Sequence, residues 1–245
     1  MSLLLIEIFL SFIVAFVVCD QLISGIFNYT RPLGFDYKNI LDIRLQATSG
    51  DPFGLLGGEN AAKYQLLLNE IKSFPEVEQA DYMVGDIPYG NTNFGSAYEY
   101  KGNIVHSGMN YVGDNFYKTM QLNLIEGRWF GPEDNATVEK SIVLDETLKM
   151  KLFGDNNAIG EIIQDPTEEE RNKPGDKYKV IGIVSSFRYR GELNEPEGES
   201  FQRQQWDDSS FIPLAAMVRV SQGISSAFEL QLQRRLASLA PDINF

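Results

Sequence analysis

The chain has 245 residues and carries 34 Asp or Glu against 21 Lys or Arg, a formal net charge of −13, with a single Cys and a single His. That acidity repels phosphate backbones and no basic stripe with interleaved aromatics offsets it, which argues against nucleic-acid binding. One Cys, Cys19, forbids an internal disulfide, dithiol redox chemistry and the Cys-rich zinc frameworks, and one His, His106, cannot build a multi-His metal centre.

From Leu3 to Val18 the run LLLIEIFLSFIVAFVV holds one charge, Glu7, and one other polar residue, Ser11. Continued through Leu22, Ile23, Ile26 and Phe27 to Tyr29, a helix here reaches roughly 40 Å, enough to cross a membrane with tilt. Tyr29 and Arg31 then sit at an interface and Pro32 ends the helix. A cleaved signal peptide needs a basic n-region and a small-x-small site, and neither precedes VVCDQ. Val18 stands where a lipidated Cys needs a small neighbour, so Cys19 reads as an apolar filler. Glu7, close to the N-terminus, reads as a side chain reaching the headgroup level.

Beyond Pro32 the chain reads as an α+β region with two segments of the same grammar. In the first, Ile40, Ile43 and Leu45 mark a strand, Gly50 to Gly58 a Gly-rich loop, and Tyr64, Leu67, Leu68, Ile71 and Phe74 one face of a helix, before Pro75-Glu76-Val77 restarts a strand. In the second, Met217 to Val220 is the strand and Ile224, Phe228, Leu232, Leu236 and Leu239 mark the helical face, with Ser226 and Glu229 at capping-box spacing. Pro241-Asp242-Ile243 repeats the restart. Two such βαβ-like units with helices on one face predict a split-βαβ, ferredoxin-like layer, with the strands around Arg44 and Arg219 in one sheet.

Between the units lies a long insertion, expected to be mostly β. Tyr82, Val84 and Ile87, then Tyr98, Tyr100 and Ile104, alternate as strands do. GRWFGPED (Gly127 to Asp134), SIVLDE (Ser141 to Glu146), KLFG (Lys151 to Gly154), AIGEII (Ala158 to Ile163) and YKVIGIVSSF (Tyr178 to Phe187) follow, the last a run suited to a strand buried on both faces. The acidic stretches Glu168 to Glu170 and Glu192 to Glu199 read as solvated loops.

Taken in order, the apolar helix, the βαβ unit, Gly-Arg-x-Phe, Ile-Val-Leu-Asp-Glu, Leu-Phe-Gly, Ile-Gly, Val-Ile-Gly-Ile-Val and the closing unit resemble the MacB/FtsX type of ABC transporter permease over nearly the whole chain. The resemblance implies a transmembrane helix over 1–31, porter-like βαβ units over 32–97 and 188–245, and an inserted second lobe over 98–187. It implies an extracytoplasmic core domain held in the bacterial inner (cytoplasmic) membrane, driven by a cytosolic ABC ATPase subunit. The same resemblance implies a homo- or heterodimer of permeases and relay of motion to a periplasmic partner protein or a substrate. Permeases of this kind continue into three further transmembrane helices, so the chain is expected to be a fragment of one. The lead-in at Arg31 to Gly34 and the exit at Ile243 to Phe245 should then share the membrane-proximal side, with the porter-like layer bearing any dimer contact. Ser186 departs from the acidic or amide residue that relatives often carry before the Phe. The alternative is a membrane-anchored binding module acting alone.

Enzymatic readings find no constellation to support them. His106 lacks a nucleophile elbow beside it and reads as a hydrogen-bonded structural residue. Asp145 and Glu146 read as an N-cap and a first-turn acid, and Asp207 and Asp208 beside Trp206 as a solvated loop. Gly54 to Gly58 lacks the Lys-Ser/Thr of a phosphate-binding loop. No catalytic, cofactor-binding or metal residues are expected.

Overall fold

The computed structural model describes residues 2–47, 61–85, 87–90, 94–136, 138–166, 175–204, 213 and 215–244. Its first element, α1 (Ser2–Thr30), is one uninterrupted helix that carries the apolar run. At 1.5 Å per residue it is about 44 Å long, the thickness of a bilayer with its headgroups. Nothing packs on its apolar window, so its Leu, Ile, Val and Phe side chains face outward all round. A helix apolar on every side and unpartnered within its own chain has the character of a membrane span.

The remaining elements follow in order: β1 (Ile40–Arg44), β2 (Gln46–Ala47), α2 (Ala61–Lys72), β3 (Val77–Val84), β4 (Gly95–Tyr100), β5 (Asn103–Val112) and α3 (Phe116–Thr119). Next come β6 (Leu124–Gly127), a 3₁₀ turn at Pro132–Ala136, β7 (Lys140–Asp145), α4 (Glu146–Phe153), β8 (Ile162–Gln164) and β9 (Lys177–Val184). β10 (Glu199–Arg203), β11 (Ala215–Val220), α5 (Ser226–Leu239) and β12 (Ile243–Asn244) complete the chain. This is a mixed α+β, sheet-rich domain behind an apolar N-terminal helix.

Among the described residues one large sheet runs β1-β11-β3-β5-β10-β7-β9-β8-β4, with β6 added on β9. At one end β11 lies antiparallel between β1 and β3, with Ile40 opposite Arg219 and Ala216 opposite Tyr82. β12 lies antiparallel to β2, so the chain at Asn244 runs back toward the Ile40 end of the first strand. The apolar stripes read from the sequence cover this part of the sheet. Tyr64, Leu67, Leu68 and Ile71 of α2 and Phe228, Leu232 and Leu236 of α5 are buried against Ala80, Tyr82, Ala216 and Val218. Each Leu, Ile or Phe among them contributes about 1.5–3 kcal/mol on burial. The cap of α5 is Ser225, whose hydroxyl accepts from Phe228 N at 3.3 Å, rather than Ser226, which the capping-box spacing singled out.

At the other end β4 pairs with both β5 and β8, which closes β5, β10, β7, β9, β8 and β4 into a ring. Tyr98, Ile142, Leu144, Ile163, Tyr178, Val180 and Ile183 pack with α4 residues Leu148, Leu152 and Phe153 in a cluster of their own. β10 completes the ring although it follows the insertion in sequence. Ring and open layer join at a short seam, Met83 opposite Val112 and Val84 opposite Tyr111. A third apolar cluster packs there, containing Leu33 and Phe35 from the segment after α1 together with Met83, Val112, Phe187, Phe201 and Met217. The path from the membrane helix into the domain is thus built into its core.

The junction between helix and domain as candidate functional site

The last turn of α1 contains no basic residue to answer its exposed carbonyls. Arg188, a fully inserted side chain from the loop after β9, supplies the charge. Its guanidinium donates to Asn28 O and Arg31 O at 2.9 Å each, and to Glu192 O at 2.6 Å and Asn194 O at 2.7 Å. Burial first, and then the neighbouring Arg31, lower its pKa from the ordinary arginine value. The main chain reinforces the grip: Arg188 N donates to Leu33 O at 2.9 Å, and Asn28 Nδ2 donates to Leu193 O at 3.3 Å. A forked donor suits this position because one rigid plane can reach carbonyls of the helix end and of the loop together.

The loop itself is tied back to the ring. Phe187 N donates to Asp145 Oδ2 at 3.1 Å, while Asp145 Oδ1 accepts from Leu148 N at 2.8 Å and caps α4 as its position at the end of β7 predicts. Burial raises the Asp145 carboxyl to about 6, against backbone donors at Leu148, Glu199 and Phe187 that favour its charge. Ser186 Oγ and Thr147 Oγ1 share a hydrogen bond at 2.7 Å, a neutral link between the loop and the first turn of α4. Beside this joint lies a cleft of about 580 Å³ lined by Arg31, Pro32, Thr147, Met150, Ser186 and Pro196.

A second buried guanidinium holds the segment that follows. Arg219 of β11 donates to Asp36 O at 2.8 Å, Lys38 O at 3.1 Å and Thr119 O at 2.7 Å, and Asp36 Oδ2 lies 3.7 Å away. Between the two arginines Gly34 adopts φ +85°, and a Cβ there would lie 2.0 Å from Ser186 O. Gly34→Ala should therefore destabilise the domain by about 1–3 kcal/mol through backbone strain alone, with the clash added. Chemical denaturation of the two proteins measures it, and equal midpoints would refute the close approach.

An aromatic chain leads from this segment into the ring. Phe35 and Phe187 rings are 5.0 Å apart, Phe187 and Phe201 5.3 Å, and Phe201 and Trp129 5.7 Å. Trp129 belongs to the Gly-Arg-x-Phe motif, whose Arg128 pairs bidentately with Asp134 at 2.7 and 2.8 Å. Burial raises the Asp134 carboxyl, but hydrogen bonds from Arg128, Ser141 and Gly131 outweigh it and hold it at about 2. The motif is a structural lock at the ring's β6–β7 corner.

The other candidates lie elsewhere. His106 is exposed on β5 opposite Ala97, and its side chain makes no hydrogen bond to a described residue. Its side of the β4–β5 hairpin faces solvent, where water serves as partner. Glu7 and Cys19 lie exposed on α1. Trp206, Asp207, Asp208, Gly54 to Gly58, Glu168 to Glu170 and Phe245 fall outside the described residues. Among the described residues no three His, Cys, Asp or Glu side chains converge as a metal centre.

Against known proteins, residues 11–240 match the family described as MacB-like periplasmic core domain. Macrolide export ATP-binding/permease protein MacB of Pasteurella multocida (strain Pm70) is 26% identical over 126 residues, which amount to 51% of this chain and 18% of that protein. The chain therefore spans under a fifth of the length of this curated relative. In fold it resembles the crystal structure of the periplasmic region of MacB from Actinobacillus actinomycetemcomitans, with TM-score 0.57 at 17% identity, covering 88% of this chain and 92% of that one. It also resembles the extracellular domain of the ABC-type transporter YknZ from Gram-positive bacteria, with TM-score 0.53 at 15% identity, covering 82% and 94%.

Proposed function

The chain belongs to the family of MacB-like periplasmic core domains, and on that premise we propose that it relays motion between a membrane helix and the extracytoplasmic side. It is the periplasmic domain of a MacB-like ABC transporter permease, attached to an apolar helix long enough to cross a membrane. In the proposed mechanism a cytosolic ABC ATPase drives rearrangement of a permease dimer in the bacterial cytoplasmic membrane. The domain carries that displacement to a periplasmic partner or to the transported molecule, and does no covalent chemistry itself.

The observation that carries this reading is the joint. A flexible tether would decouple helix from domain, whereas here Arg188 and Arg219 donate to four backbone carbonyls within residues 28–38, and Arg188 also to the loop at Glu192 and Asn194. Displacement passes only through contiguous packed or hydrogen-bonded groups, and the chain Phe35, Phe187, Phe201 and Trp129 continues from the joint into the ring. The antiparallel placement of β11 between β1 and β3 supports reading 32–97 and the C-terminal unit as a split-βαβ, porter-like layer. The closed ring supports the inserted lobe, with β10 assigned to it. The direction of β12, back toward the Ile40 end, supports an exit on the membrane-proximal side.

The test uses the permease that carries this domain, reconstituted with its ATPase and spin-labelled at Tyr29→Cys and Val138→Cys in a Cys19→Ala background. Through the nucleotide cycle the distance from 29 to 138 within one chain should stay constant, while distances between copies at 138 change. A 29-to-138 distance that varies with nucleotide would reject rigid relay.

A further inference from the structure

We infer that the loop at 189–196 is a second membrane contact, which inserts Leu193 into the lipid–water interface beside α1 and fixes the tilt of the domain; this rests on the reading of α1 as a membrane span. Leu193 is 70% exposed, an unusual position for a leucine whose own carbonyl is held by a buried residue. That residue is Asn28 of α1, two positions before the helix ends at Thr30. At 1.5 Å per residue Leu193 therefore lies about 3 Å inside the helix end, at the depth of its last turn. Arg188 fixes this height, since it binds Glu192 O and Asn194 O on either side of Leu193 together with Asn28 O and Arg31 O.

The occupant of this surface follows from its continuity with α1. A helix of 29 residues spans the hydrocarbon and both headgroup layers, so whatever shares the depth of its last turn meets lipid headgroups and the first methylenes. The neighbouring exposed side chains have the character of that zone. Tyr29 is 69% exposed on α1. Tyr89 donates its hydroxyl to Glu192 Oε1 at 2.8 Å, and its ring meets that of Tyr37 at 6.1 Å. Tyrosines with a wet hydroxyl and an apolar ring collect at membrane interfaces. The acids at the loop are partly answered, Glu192 by Tyr89 from the segment after β3 and Glu197 by Arg190 at 2.8 Å, while Glu195 is exposed. A zwitterionic surface receives such a loop better than an anionic one.

The full chain in phosphatidylcholine nanodiscs, with Cys19→Ala and one environment-sensitive fluorophore at a time, tests the contact. Labels at Leu193→Cys and Tyr29→Cys should be quenched at least about twofold by shallow spin-labelled lipid, as interfacial groups are. A label at Phe16→Cys should be quenched by deep spin-labelled lipid. Val138, 96% exposed just before β7 and so at the end of the parallel β7–β9 pair away from the junction, should not respond. If 16 and 29 are quenched while 193 behaves like 138, the loop contact is wrong and the membrane helix stands. If 16 is not quenched, both fall.

Discussion

Arg188→Ala is expected to lower the stability of the full chain in detergent by about 1–3 kcal/mol, the penalty for leaving buried carbonyls without the charged donor they share. The side chain is 3% exposed and satisfies four carbonyls, so its removal leaves buried acceptors without donors and exposes the helix end to its own dipole. For a domain of this size the loss corresponds to a melting temperature lower by roughly 2–12 °C. Arg188→Lys keeps the charge but has no planar fork, and should recover less than half of the loss. Arg190→Ala, two residues on, removes a surface pair with Glu197 and should change stability by less than about 1 kcal/mol. Differential scanning fluorimetry of the three variants decides the matter. An Arg188→Ala melting temperature no lower than that of Arg190→Ala would mean that the joint is held by packing alone.

What made this joint hard to see in the sequence is the kind of partner it uses. The stripes on α2 and α5 were legible because periodicity is a property of neighbouring residues, and the cap at Asp145 because its partner lies three residues on. Arg188 and Arg219 instead bind backbone carbonyls 160 and 183 positions away, at Asn28 and Asp36. A carbonyl has no residue identity, so no second motif exists to be matched. The one available signal was Arg219 itself, a charge inside Met217 to Val220, where every side chain is buried. A lone cation in such a strand must find acceptors within the fold. The ring escaped for a related reason: β10 reads Glu-Ser-Phe-Gln-Arg and looks like the end of an acidic loop. Several of its polar groups bond across the sheet, with Asn110 Nδ2 donating to Glu199 Oε2 at 2.7 Å and Gln202 Nε2 to Tyr98 Oη at 3.0 Å.

The joint and the cores also differ in what holds them, and the difference bears on function. The clusters under α2 and α5 are apolar and resist displacement in any direction, whereas the junction depends on directed bonds between a few groups. Such an arrangement is sensitive to single substitutions, because each bond depends on its own geometry. The Arg128–Asp134 pair plays the same part at the far side of the aromatic chain, where it closes the corner that presents Trp129 and Phe130 to the core.

Acidity should tune the stability of this domain in a definite order. Burial raises Asp81 and Asp145 from 3.8 to about 6, although Asp81 accepts from Tyr82 N and Asn115 N at 2.8 Å each. A folded-state pKa above the unfolded one means that the native protein binds more protons, so the contribution is full below about pH 3.8 and is lost as pH rises through about 6. A displacement of that size is worth about 3 kcal/mol per group. Asp134 works the other way: held at about 2, it contributes stability above 3.8 that is lost as pH falls toward 2. The two windows do not overlap, so stability should rise as pH is lowered from 7 to near 4 and fall again below it. Denaturant midpoints measured across that range, with Asp81→Asn flattening part of the upper limb and Asp134→Asn part of the lower, test the assignment. A midpoint that declines steadily from pH 7 to pH 4 would show that Asp81 and Asp145 are ionised in the folded protein throughout, held by their backbone donors rather than neutralised by burial.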